Sequence, residues 1–373
     1  MGVARRACLW GALAILGACS GMLSGCMSEP PTVAPPSASP EESRALIERL
    51  LPTTVRDRQG WTTDLYAGFA AQAIDPTPQN VCAVLAVIEQ ESGFRVDPVI
   101  PGLGAMAWKE IDSRAAHAGM PPLLVHGALQ VTSRTGRSYS DRIDAAKTEK
   151  DLSDIYEDFI GAVPLGKRLF EDHNPIRTRG PMQVNVAYAT QYASVRPYPY
   201  PVKVSIEDEL FTRRGGVYFG MAHLLGYPAS YDRYLYRFAD FNAGQYSSRN
   251  AAFQAAVSVV SGIPLTRDGA LLPRVDNAKG AGSTEAALHA VAGRLRLSDR
   301  EIHNALEQER SKEFERTQLY RAVFDLADRR QRAPLPRAVV PRIDLHGPKI
   351  SRKLTTAWYA DRVNGRFERC EKR

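Results

Sequence analysis

The chain has 373 residues, 44% of them hydrophobic and 24% charged, so it can bury a sizeable core as two domains or one elaborated one. Its net charge of +7 comes from scattered lysines and arginines, not from runs; this speaks against a nucleic-acid partner and suits an anionic polymer. The seven histidines show no metal-ligand spacing, and no HExxH, G-x-S-x-G or phosphate-binding glycine loop is present, so neither a metal nor a cofactor is expected.

Arg5 and Arg6 precede the apolar run "ACLWGALAILGA", which reads as a secretory signal peptide over residues 1–25. It ends in "LSGC", Leu23 to Cys26, which resembles the lipobox of bacterial lipoproteins. That resemblance implies lipidation of Cys26 and a membrane partner reached through a lipid anchor. "LGAC", ending at Cys19, is the alternative lipobox, and a cleaved signal peptide with an accidental cysteine is the other reading. Met27 and Ser28 supply no aspartate after the cysteine, which points to the outer membrane, with the body facing the periplasm. Residues 26–42 are rich in proline and serine and read as an extended tether. Cleavage before Cys26 removes Cys8 and Cys19 and leaves Cys82 and Cys370 in an oxidising compartment. A disulfide between them is expected; two unpaired buried thiols are the alternative.

The body reads as mainly α. "WTTDLYAGFAAQAI" is a short amphipathic helix, and Thr77 with Pro78 opens the next one. A mixed region follows to about Asp172. "RGPMQVNVAYATQYA" precedes a helix read over "EDELFTRRGGVYFGMAHLLGY", in which Phe211, Tyr218, Met221 and Leu225 share a face. A turn leads into a helix with Phe253, Val257 and Val260 inward. After Gly262 comes a loop, then a helix with the capping box Ser298/Glu301 and a charged helix to about Arg330, then a proline-broken tail. Strand signals are few and short.

The helix "VCAVLAVIEQESGF" carries the candidate acid. At about 100° per residue, Glu91 projects beside Val84, Val87 and Ile88, and Glu89 points roughly 200° away. A carboxyl on the core side at the negative end of a helix is pushed toward its protonated form. Such a group suits general acid work. The plain alternative is a last-turn glutamate that reaches solvent. Gly93 lets the chain turn away just after it. Asp97 and Asp240 read as turn or capping residues, and His223 as a packed or exposed one.

Three stretches stand in order: "QESGF" (Gln90 to Phe94), "GPMQV" (Gly180 to Val184) and "FADFNAGQY" (Phe238 to Tyr246). Together they resemble the soluble-type lytic transglycosylases and their goose-type lysozyme relatives. The resemblance covers roughly residues 75–262 and implies a lysozyme-like helical fold. The implied organisation is a catalytic domain over 43–262, interrupted by an insertion at about 100–172, and a C-terminal helical extension over 263–373. The lipobox, tether and domain together also look like an uncharacterised proteobacterial lipoprotein family, domain of unknown function 1615. The implied activity is cleavage of the β-1,4 bond between N-acetylmuramic acid and N-acetylglucosamine in peptidoglycan glycan strands. One glutamate protonates the leaving oxygen and then takes a proton from the muramic acid C6 hydroxyl, closing a 1,6-anhydro ring. The substrate brings its own nucleophile, unlike in the two-carboxylate glycosidases.

Glu91 takes the catalytic role in this scheme. Ser92, Met182, Gln183, Phe241 and Asn242 take substrate-side roles: Ser92 near the acid, Met182 and Gln183 along the groove, Asn242 in the turn below. "GALQV", Gly127 to Val131, is a rival for the Met-Gln element. Phe241 stands where the family has a tyrosine whose hydroxyl lies near the acid. A hydrolytic muramidase of the same fold and a non-catalytic wall-binding scaffold remain the alternatives.

Overall fold

Eight consecutive apolar residues, Val81 to Ile88, decide where the core sits. All are at most 2% exposed. A helix apolar on every face must be enclosed on every side. The computed structural model describes residues 38–163, 168, 174–273, 282–345 and 353–373. The class is mainly α, with two short antiparallel strand pairs among the described residues.

Helices α1 (Pro40–Leu50), α2 (Arg58–Ala71) and α3 (Pro78–Glu91) come first. The Ser39 hydroxyl accepts from the Glu42 amide and the Glu42 carboxylate accepts from the Ser39 amide, so α1 starts inside the stretch read as tether. Composition alone hid that capping box. The signal peptide and both candidate lipidated cysteines, Cys19 and Cys26, lie outside the described residues.

Helices α4 (Leu103–His117), α5 (Pro122–Ala128), α6 (Tyr139–Ala145) and α7 (Glu149–Ala162) fall within the expected insertion. They have their own small core around Leu129, Tyr139, Ile143 and Ile155. Strands β1 (Thr178–Arg179) and β2 (Val184–Asn185) then pair antiparallel around the Gly180–Gln183 turn. They lead into α8 (Val186–Val195), α9 (Ile206–Glu209) and α10 (Arg213–Leu225). The single helix expected across α9 and α10 is broken because the Thr212 hydroxyl caps the second piece, accepting from the Gly215 amide at 3.0 Å. Gly220 in α10 faces Met182: a Cβ there would lie 2.3 Å from the Met182 sulfur, so only glycine lets the hairpin turn seat on this helix.

Helices α11 (Tyr234–Ala243) and α12 (Ser247–Ser261) meet at Gly244. The buried Asp240 carboxylate joins them, accepting from the amides of Tyr246 (2.9 Å) and Ser248 (2.6 Å) and from the Tyr227 and Tyr231 hydroxyls. It is a cap, as its motif position implied. Burial pushes its pKa up against those bonds. Asp97 bonds Thr148 and the backbone of Lys150 at the start of α7.

Helices α13 (Ser283–His289), α14 (Ala292–Leu295), α15 (Asp299–Leu306) and α16 (Gln318–Gln331) build a second core on α12. Phe253 and Val257 meet Leu288, Ile302, Val323 and Phe324 there. The charged helix expected to run on to Arg330 is interrupted by a 3₁₀ turn at Lys312–Arg316, after which Thr317 caps α16. Strands β3 (Asp344–Leu345) and β4 (Leu354–Thr355) precede the last helix, α17 (Thr356–Glu371).

Helix α17 returns to α3. Tyr359, Ala360, Val363, Phe367 and Cys370 join the same cluster as Val81 to Ile88, Phe238 and Ala239. The boundary expected at residue 262 therefore does not divide two packing units: α12 contributes to the second core, and the end of the chain completes the first. The Cys82 and Cys370 sulfurs are bonded, with Cα atoms 5.5 Å apart across a separation of 288 residues.

Closing a loop of that length constrains the unfolded chain. Replacing Cys82 and Cys370 by alanine is expected to lower unfolding free energy by about 2–5 kcal/mol, measured by urea denaturation of oxidised wild type and the double variant. Equal stability would show that the docking of α17 does not depend on the covalent link.

Candidate functional site

Helix α3 ends where the sequence argument placed its end. Ser92 is the C-cap, and Gly93 and Phe94 follow with φ of 58° and 61°. A bulky residue in the left-handed region costs about 1–2 kcal/mol; the Phe94 ring is held there by an edge contact with Trp61, centroids 5.4 Å apart. The turn leaves Glu91 half-buried on the last turn of the helix, just beyond its enclosed stretch Val81 to Ile88.

The closest described partner of the acid comes from the far end of the chain. The Tyr359 hydroxyl donates to Glu91 Oε1 at 2.5 Å. Tyr359 is buried, and burial first, then the Glu91 charge, holds its pKa well above the usual tyrosine range. It therefore remains a donor at any working pH. Four further contacts fix α17 around this bond. The disulfide holds its C-terminal end, and Glu89 faces Arg366 at 3.5 Å and Arg369 at 3.8 Å. Thr356, one turn before Tyr359, donates to Asn242 Oδ1 at 2.9 Å. Glu89 thus belongs to the helix–helix contact; it does not stand clear of it, as helical projection alone implied.

The other sequence-derived residues divide. Asn242 sits beside this corner, exposed and tied to α17, and Phe241, its neighbour on α11, is half-buried against the main core. The remaining three have engagements of their own. The Ser92 hydroxyl donates back to the Ile88 carbonyl at 3.1 Å and is 8% exposed, which makes it part of the helix end. Met182 is 0% exposed and packs in the core, so its role as a groove residue is corrected: it seats the hairpin. Gln183 has φ of 50°, accepts from the Thr178 hydroxyl and donates to Glu149 at 2.9 Å. It faces a cavity of about 760 Å³ in the α4–α7 region, and Glu91 is not among that cavity's lining residues. The rival Gln130 is exposed at the end of α5.

Beyond Phe241 a line of rings runs along α8 and α10. Phe241 lies 5.0 Å from His223, His223 4.5 Å from Tyr188, and Tyr188 5.8 Å from Tyr192. Tyr188 and Tyr192 are half-buried. His223 Nε2 donates to the Phe241 carbonyl at 3.2 Å, whereas Nδ1 is enclosed with no hydrogen-bond partner among the described residues. Burial lowers the His223 pKa from 6.5 to about 4, offset in part by that bond. Among the described residues no three His, Cys, Asp or Glu side chains gather as a metal-holding group.

Sequence reasoning missed Tyr359 and Thr356. The signal was present: Tyr359, Val363, Phe367 and Cys370 recur at helical spacing just ahead of the cysteine expected to pair with Cys82.

A family model described as "Protein of unknown function (DUF1615)" matches residues 54–373, from α2 through α17. The chain belongs to this family. It is 47% identical over 351 residues to "Uncharacterized protein YaiW" of Escherichia coli (strain K12), covering 94% of this chain and 95% of that one. No solved structure matches significantly.

Two measurements test the corner. A double-mutant cycle of Tyr359→Phe and Glu91→Gln, read by urea unfolding, is expected to give a coupling of about 1–3 kcal/mol; zero coupling would contradict the bond. For His223, the folded pKa lies below the unfolded one, so its contribution is present above about pH 6.5 and is lost as pH falls toward 4. At about 1.4 kcal/mol per pKa unit, wild type should lose on the order of 2–3 kcal/mol more than His223→Gln between pH 7 and 4.5.

Proposed function

We propose that the chain is a lytic transglycosylase of lysozyme-like fold that cleaves peptidoglycan glycan strands with Glu91 as its single acid and base. The observation that carries this reading is the 2.5 Å bond from Tyr359 to Glu91 at the end of the enclosed helix α3. The sequence resemblance asks for a tyrosine hydroxyl at the acid, and position 241 lacks it. Tyr359, from another helix, offers that hydroxyl. One oxygen of Glu91 is then fixed, and a half-buried carboxyl holds a proton donor toward a leaving oxygen. Packing supports the reading too: the helix before Glu91, the hairpin turn with Met182, and α11 with Phe238 share one core. The rings from Phe241 to Tyr192 offer flat apolar faces along which sugar rings can lie.

In this mechanism Glu91 gives its proton to the glycosidic oxygen as the bond to the muramic acid C1 breaks. Its carboxylate then takes the proton of the C6 hydroxyl as that oxygen closes on C1. Tyr359 does not exchange a proton; it holds the carboxyl in place through both halves. Lipidation of Cys26 and anchoring at the outer membrane belong to the same reading, because they set the body against its polymer.

The body from residue 27 onward is expected to release 1,6-anhydro-muropeptides from purified sacculi, read by mass spectrometry. Glu91→Gln keeps shape and loses both proton transfers, so activity should fall by about 10²–10⁴-fold or more. Glu41→Gln, an exposed residue in the first turn of α1, is the control. Reducing-end products would mark a hydrolytic muramidase instead. Wall binding without release would mark a scaffold, a reading favoured by the engagement of Ser92, Met182 and Gln183 within the protein. Metabolic labelling with a palmitate analogue should label wild type and not Cys26→Ser; a labelled variant would move the anchor to Cys19.

A further inference from the structure

The cavity among α4–α7 has no part in the chemistry at Glu91. Its volume, about 760 Å³, is that of a ligand site. Its walls are aliphatic and aromatic, with Leu103, Ile111, Leu129, Ile155 and Phe159 among them. Polar groups are few and sit unevenly. On the inner wall Gln183 and the buried Glu149 bond each other at 2.9 Å. At the solvent side stand Arg177, exposed, and Arg114, whose guanidinium is half-exposed and paired with Glu110 at 2.7 Å. An apolar interior with the exposed Arg177 and the Arg114–Glu110 pair among its lining suits an amphiphile bearing an anionic end.

The short helix α5 separates this interior from solvent and is apolar on both sides. Val125 and Ala128 face the cavity. Leu123 and Leu124 face outward, 82% and 67% exposed, with Met120 at 51% just before them. Exposed leucines on a soluble face are costly, and clustered ones mark a surface that meets something apolar. They need no pocket of their own if α5 lies on a lipid surface. An apolar interior and an apolar outer lip on the same helix make a path for a lipid tail from a bilayer into the protein.

We infer that the α4–α7 unit binds an acyl chain of a membrane lipid or fatty acid, tail inward and anionic end at Arg114 and Arg177, with Leu123 and Leu124 touching the bilayer. Binding is non-covalent and stands apart from the reading of Glu91.

The test uses residues 27–373, which contain every packing cluster described. Saturated fatty acids of eight, twelve and sixteen carbons, below their micelle concentrations, are titrated by calorimetry. Affinity is expected to rise roughly 3–4-fold per added methylene until the cavity is full. Ala107→Trp, on the cavity wall, should abolish binding, with folding checked by circular dichroism. Sedimentation with phosphatidylethanolamine/phosphatidylglycerol vesicles separates the sources. Leu123→Ser with Leu124→Ser should keep fatty-acid binding and lose vesicle binding, which assigns the bilayer as the source. Absence of binding by wild type, or affinity independent of chain length, overturns the inference whether or not Ala107→Trp folds. Unchanged vesicle binding by the leucine variant overturns the role of α5.

Discussion

The last helix lies against the enclosed helix α3, and the corner around Glu91 depends on that contact. Residues 268 positions apart share the Tyr359–Glu91 bond. Packing of Val363 and Phe367 into the core, the disulfide at Cys370 and the Glu89–arginine contacts together place the Tyr359 hydroxyl at that carboxylate. Each would be modest alone. Hydrogen bonds to charged groups are worth about 1.5–3 kcal/mol, and exposed ion pairs less. The covalent link and the buried apolar face set the geometry, and the polar contacts refine it.

Burial sorts the ionisable groups into two kinds. Asp240 and Arg249 are enclosed and fully engaged: Asp240 caps α12, and Arg249 donates to the Ser311 carbonyl at 2.7 Å and so fixes the turn before α16. Such groups hold the scaffold. Glu91 differs from them in being only half-buried, with Oε1 accepting from the Tyr359 hydroxyl. The neutral His223 beneath Phe241 adds no charge to this corner near neutral pH.

Local signals were legible in the sequence to the extent that local physics decides them. The end of α3 at Gly93, the caps at Thr77 and Ser298, and the inward face of α12 follow from residue type and spacing. The Cys82–Cys370 pairing followed from an even count once the leader was set aside. What failed was non-local. Met182 looks like a groove residue until Gly220 is seen to admit it into the core, and Glu89 looks free until Arg366 arrives from α17. At Phe241 the sequence shows only that the family's tyrosine is absent; the helical spacing of Tyr359, Val363 and Phe367 marks a packed face, but which carboxylate the Tyr359 hydroxyl meets is set by the tertiary fold.

The most direct measurement is turnover of purified sacculi by Tyr359→Phe beside wild type, with kcat and KM separated. The ring and its packing remain, and only the hydroxyl goes. If Tyr359 positions the acid, kcat should fall by about 10- to 100-fold with KM little changed. Wild-type turnover by this variant, from an enzyme that Glu91→Gln inactivates, would contradict the account and leave Tyr359 a packing residue.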